Sequence, residues 1–151
     1  MKKISLLCLV FLISAACLSM CGSPHRPAYK QARSLWESQN IQHYRFHLEI
    51  GCNCPWWEMM PLAIKVQNGE IVSMAASNAG DISPYLDTFR PHGTIESLFD
   101  LLDSSTSTRV YKLEVQYDAR YGFPTSIIID PYRMIADDAT GYYVSDFEVL
   151  P

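Results

Sequence analysis

Asn68-Gly69 stands between two apolar runs, Leu62 to Gln67 and Glu70 to Ala76. The dipeptide accepts positive φ at both central positions of a two-residue turn, so the two runs are expected to close as a β-hairpin. An isolated hairpin is barely stable in water, so the rest of the chain has to supply more strands and a layer to cover one face. Ile41 to Ile50 supplies the first, with Tyr44, Phe46, Leu48 and Ile50 on one side and Arg45, His47 and Glu49 on the other. Arg109 to Tyr117 alternates in the same way, with Tyr111, Leu113, Val115 and Tyr117 opposed by Lys112, Glu114 and Gln116. Gly122-Phe123-Pro124 turns the chain into Thr125 to Asp130, whose three isoleucines read as a buried strand, and Gly141 to Val149 closes the set after a polar turn.

Two segments change period from two to 3.6. Ala28 to Ser38 places Ala32, Leu35 and Trp36 on one helical face. Thr94 is placed to cap a second helix, Ile95 to Asp103, with Ile95, Leu98, Phe99 and Leu102 as its apolar stripe and Glu96 near the positive end of its dipole. Ser77 to Gly93 reads as a long loop, and so does the run DSSTST from Asp103 to Thr108. The expected architecture is α+β, two helices packed on one face of an antiparallel sheet, in the order helix, three strands, helix, three strands. A chain of 151 residues with 48% hydrophobic and 19% charged residues holds one such domain, placed at residues 28–151.

The start of the chain has a different character. Lys2 and Lys3 precede Ile4 to Ala16, an apolar or small run too short to span a bilayer as a helix, and small residues follow. The pattern is that of an export signal. Ser14-Ala15-Ala16-Cys17 resembles a bacterial lipoprotein signal, which places a small residue before a cysteine that is acylated. Cys17 is therefore the expected lipid attachment, with residues 1–16 as the signal peptide. Leu18-Ser19-Met20-Cys21 gives the alternative, Cys21 after a signal of residues 1–20, and would leave Cys52 and Cys54 as an even pair. Residues 17–27 then form a tether, with Pro24 and Pro27 delaying helix until about Ala28.

Without Lys2 and Lys3, ten basic residues face sixteen acidic ones. That balance lacks the basic patch that nucleic acids require, and it does not favour electrostatic binding to an anionic membrane surface. The expected membrane contact is through the N-terminal lipid.

Export puts Cys52 and Cys54 outside the reducing cytosol, where a disulfide is the natural state. Two residues apart on a fully extended strand they would sit at the limit of disulfide geometry, so a local turn at Asn53 is required. A closed zinc site needs four ligands and only these two thiols are in place, so no metal and no cofactor is expected. Adjacent Trp56 and Trp57 point to opposite sides, and one of them exposed beside Met59 and Met60 would form an adaptable apolar patch for a peptide or protein partner. Asp118, Asp130, Asp137 and Asp138 fit no EF-hand spacing, and Asx-turn roles account for Asp118 and Asp130 at strand ends. No nucleophile elbow, phosphate loop or Cys-His arrangement is specified, so no catalytic residue is assigned.

Trp36, Ile41-x-x-Tyr44-x-Phe46, Cys52-x-Cys54, Asn68-Gly69-Glu70-Ile71, Thr94-Ile95-Glu96-x-Leu98-Phe99, and Tyr117-Asp118-x-x-Tyr121-Gly122-Phe123-Pro124-Thr125-x-Ile127-x-Ile129-Asp130 with Asp137-Asp138 resemble a family of bacterial lipoproteins catalogued as domain of unknown function 6174. The resemblance covers about Leu35 to Val149 and implies a compact domain in the cell envelope, with no assigned activity. The expectation is a lipid-anchored binding or scaffolding module with an unidentified envelope protein or peptide as partner. It would sit on the outer membrane facing the periplasm if the host is Gram-negative. An exported redox or metal-dependent protein using Cys52 and Cys54 is the alternative.

Overall fold

A computed structural model describes residues 25–108, 110–135 and 137–151. The expected signal peptide and both candidate lipid cysteines, Cys17 and Cys21, lie outside the described residues. Helix α1 runs His25–Ser38, β1 His43–Gly51, β2 Leu62–Gln67 and β3 Glu70–Ala76. A four-residue helix α2, Leu86–Phe89, precedes α3, Ile95–Ser107, and the chain ends with β4 Lys112–Tyr117, β5 Pro124–Asp130 and β6 Thr140–Val149. The strands form one six-stranded sheet in the order β3-β2-β1-β6-β5-β4, and every neighbouring pair is antiparallel. Two three-stranded meanders are thus joined edge to edge by β1 and β6, an α+β architecture.

The hairpin follows its turn chemistry, with Asn68 and Gly69 both at positive φ, 52° and 76°. Along β1 the alternation predicted from sequence is met residue by residue: Tyr44, Phe46, Leu48 and Ile50 are buried, while Arg45 and Glu49 are exposed. These four pack with Leu62, Ile64 and Val66 of β2, Ile127 of β5, Trp36 of α1 and the Ile95, Leu98, Phe99 and Leu102 stripe of α3. Trp36 meets Tyr44 edge-on at 5.5 Å between ring centroids, so α1 lies over the central strand. Leu35, expected on the same face, sits at the rim and is 37% exposed.

Four stretches differ from the sequence expectation, and in the first of them β4 opens at Lys112 rather than Arg109, which leaves Tyr111 before the strand and 55% exposed. Helix α1 opens at His25 rather than Ala28, because Pro27 falls in the first turn, where a missing N–H costs nothing. The run Ser104 to Ser107, expected as loop, is helical. Its hydroxyls bond back within the helix: Ser105 Oγ donates to Leu101 O and Thr106 Oγ1 to Leu102 O, both at 2.8 Å. The segment from Ser77 to Gly93 is built as α2 flanked by single 3₁₀ turns at Ser83–Tyr85 and Arg90–His92, and it buries Ile82 and Phe89.

Gly122 shows why the β4–β5 turn requires glycine. Its φ is +83°, and a Cβ there would lie 2.4 Å from the Ala32 carbonyl oxygen of α1. Asp118 Oδ1 accepts from the Arg120 and Tyr121 N–H groups at 2.8 and 2.6 Å, the Asx turn expected of it.

Candidate functional site

The loop after β1 carries the sequence-predicted site residues. Cys52 and Cys54 stand at disulfide-bonding distance, with Cα atoms 5.2 Å apart, because the chain bends through Cys52 and Asn53 instead of staying extended. A 3₁₀ turn, Trp57–Met59, follows. It separates the two tryptophans. Trp56 packs on Tyr85 and Phe89, with ring centroids at 5.4 and 5.8 Å, whereas Trp57 is 67% exposed. Met59 and Met60 are half-buried against the core, and the Met60 sulfur accepts the Ile50 N–H at 3.4 Å. The four residues are therefore not one patch: Trp57 alone faces solvent, and the other three seat the loop on the domain.

The second feature lies on the sheet face that the helices leave uncovered. Arg45 and His47 of β1 project there beside Lys65 of β2 and Ser73 of β3, and across the joint Asp146 and Glu148 of β6 face them. Together they line a hollow of ≈ 710 Å³. Arg45 Nε donates to Glu148 Oε2 at 2.9 Å, and His47 Nδ1 lies 2.8 Å from Asp146 Oδ2. A β-bulge makes the second contact possible. The register shifts between Arg45 and His47, and Asp146 takes a φ of +51° opposite that shift, which re-aims its carboxylate toward the imidazole. All four side chains are a third or more exposed, so the pairs are screened and the face stays wet.

Beneath the sheet a third cluster joins three elements. Tyr44 Oη donates to Glu96 Oε2 at 2.8 Å and accepts the Ile95 N–H at 3.0 Å, while Trp36 Nε1 donates to Glu96 Oε1 at 3.0 Å. Burial, with the Glu96 carboxylate close by, pushes the Tyr44 phenol far above its ordinary value, so it acts as a fixed donor. Glu96 lies in the first turn of α3, whose Thr94 Oγ1 accepts the Ser97 N–H in a capping box. The carboxylate expected to serve the helix dipole thus also latches α1 and α3 to β1. At the far end of α1, burial pushes Tyr117 up to about 12.

Sequence reading missed the hollow and the latch, since both need residues about fifty to a hundred positions apart. The one visible signal for the hollow was the polar side of β1. Among the described residues no group of three or more His, Cys, Asp or Glu side chains is placed to hold a metal ion, and no helix is long and apolar enough to cross a membrane. No curated protein and no solved structure shows significant similarity to the chain. A family model does: it matches residues 28–149, the whole sheet with α2, α3 and all but the first three residues of α1, and the chain belongs to that Family of unknown function (DUF6174).

Proposed function

We propose that the chain is a lipid-anchored cell-envelope lipoprotein whose domain acts by binding or scaffolding, without catalysis, and that its open sheet face is the binding surface. The observation that carries the second half is the uncovered hollow, where Arg45 of β1 and Lys65 of β2, with His47 beside them, face two acids of β6 across the joint of the meanders. Such a mixed-charge, half-wet face suits a peptide or protein segment of alternating charge, because complementary charge sets register and orientation more than raw affinity. The anchor half is supported by the basic start, the short apolar run and the small residues before Cys17 or Cys21. Acylation adds about 0.8 kcal/mol for each buried methylene, so more than one chain is needed for stable attachment. In a Gram-negative host the domain would sit on the outer membrane, facing the periplasm.

Labelled palmitate fed to cells tests the anchor: the Cys17→Ser, Cys21→Ser double variant should abolish labelling, the single variant that also does so names the acylated cysteine, and unchanged labelling in the double variant refutes the anchor. Photo-crosslinkers at Lys65 and Glu148 test the face. Both should trap the same envelope component, and a crosslinker at Glu114 on the far strand should not.

The exported redox reading rests on one observation, the Cys52 and Cys54 sulfurs at bonding distance at the end of β1. Intact mass with and without reductant separates the two. A staple keeps its two-hydrogen deficit under mild reductant, and an active redox pair loses it.

A further inference from the structure

The loop between β5 and β6 is unlike the rest of the surface. Tyr132, Met134 and Ile135 are 61%, 91% and 55% exposed, and Tyr111, 55% exposed, joins them at the entrance to β4. The Tyr111 N–H donates to Pro131 O at 3.3 Å, and the Arg133 guanidinium lies 6.0 Å from the Tyr111 ring centroid. Four large apolar side chains therefore project from one corner of the sheet with a single cation, Arg133, among them, and acids flank the stretch at Asp130, Asp137 and Asp138. Tyrosine, arginine and aliphatic side chains together are the set that favours a membrane interface, with rings and stems in the acyl boundary and polar ends in water.

The position of this corner names the occupant. Tyr29, near the start of α1, packs edge-on against Phe99 at 6.0 Å and lies beside Tyr117 of the edge strand β4, whereas Trp36, near its end, sits over Tyr44 of the central β1. Helix α1 thus enters from the β4 edge, the edge that also carries Tyr111. Cys17 lies eight positions before His25 and Cys21 four, a reach of about 13–29 Å even when fully extended. Tyr111 stands at the end of β4 opposite Tyr117, about 20 Å away along its six residues, a length that the tether from Cys17 covers and the one from Cys21 does not, so a domain anchored at Cys17 can lay this edge along the bilayer.

We propose that Tyr111, Tyr132, Met134 and Ile135 form a tip that inserts into the interfacial layer of the anchoring membrane and orients the open sheet face toward the aqueous compartment. The proposal rests on the lipoprotein reading above. Insertion is apolar rather than electrostatic, as an acidic domain with one cation in the tip requires, so it does not depend on anionic lipid.

The test uses the full chain, made in a host that processes lipoproteins and reconstituted into phosphatidylcholine vesicles with brominated acyl chains. Met134→Trp should lose about half of the emission it adds over wild type, because a tip residue sits at the depth of the upper acyl chain. Val72→Trp, exposed on the opposite edge strand β3, should lose none. Intact mass reads the anchor separately. An acylated chain in which Met134→Trp is quenched no more than Val72→Trp keeps the anchor and overturns the tip. A chain without acyl mass overturns the anchor, and failure of that chain to show excess quenching at position 134 overturns the tip as well.

Discussion

The two faces of the sheet carry the same strands but different physics. On the covered face, Tyr44, Phe46 and Leu48 are fully buried beneath α1 and α3, and the Tyr44 hydroxyl is tied to Glu96 and the Ile95 N–H. On the open face, Arg45 and His47 of the same strand reach carboxylates of β6 through solvent-exposed contacts. Burial makes the first face costly to alter and screening makes the second cheap. A chain can therefore vary the open face for a partner without endangering the fold, provided the covered face is left alone.

Phe46→Ala probes that difference where it should be greatest. The ring is buried and tilts against Tyr44 at 6.0 Å, so its loss removes apolar contact and leaves a cavity. Urea unfolding should show a loss of about 3–5 kcal/mol at an unchanged m-value. An effect below that of the open-face changes would overturn the division.

Tyr44→Phe removes one oxygen and keeps the ring. The Glu96 carboxylate then loses a donor, and the Ile95 N–H is left buried without an acceptor. About 1–3 kcal/mol should be lost, and Tyr44→Phe combined with Glu96→Gln should cost less than the sum of the two single changes. Additive costs would mean that the cluster is not a unit.

Local chemistry made one part of this legible. Asn68-Gly69, the β1 alternation, Thr94 and the Asp118 turn each depend on residues within a few positions, and each is found where the sequence places it. Ser104 to Ser107 was not legible, since serine and threonine offer the backbone a hydrogen bond inside a helix or outside it, and packing of Leu102 and Ser105 decides. Nor was the joint between β1 and β6. His47 and Asp146 are 99 positions apart, and nothing in either strand specifies that it pairs with the other instead of forming an edge. The candidate loop was half legible: the adjacent tryptophans had to point to opposite sides, but whether one is exposed, and which, depends on Tyr85 and Phe89, in a segment read as loop.

His92 tests the covered face by pH. Its ring lies 4.9 Å from Tyr142, its Nδ1 is buried without a partner, and burial holds its pKa below the ordinary 6.5. From about pH 6.5 downward the unfolded chain binds a proton that the folded chain resists, so stability falls as pH drops through that window and levels off below the folded pKa. His92→Phe keeps an aromatic ring on Tyr142 and removes the proton. Thermal unfolding at about pH 7.5 and 5.5 should show a smaller gap in Tm for the variant than for the wild type, and an equal gap would place the acid sensitivity elsewhere.

The smallest effect is expected at Arg45 and Glu148. Their side chains are 60% and 53% exposed, so water and salt screen the pair and both long side chains lose rotamer freedom in making it. A double-mutant cycle with Arg45→Ala and Glu148→Ala should return a coupling of about 0.2–1 kcal/mol, falling further in high salt. The same single variants, made in the full chain, should reduce crosslinking of a partner through Lys65 several-fold while Tm barely moves. If Arg45→Ala instead destabilises the domain as much as Tyr44→Phe does, the open face is part of the core's support. It could not then be the surface left free for a partner.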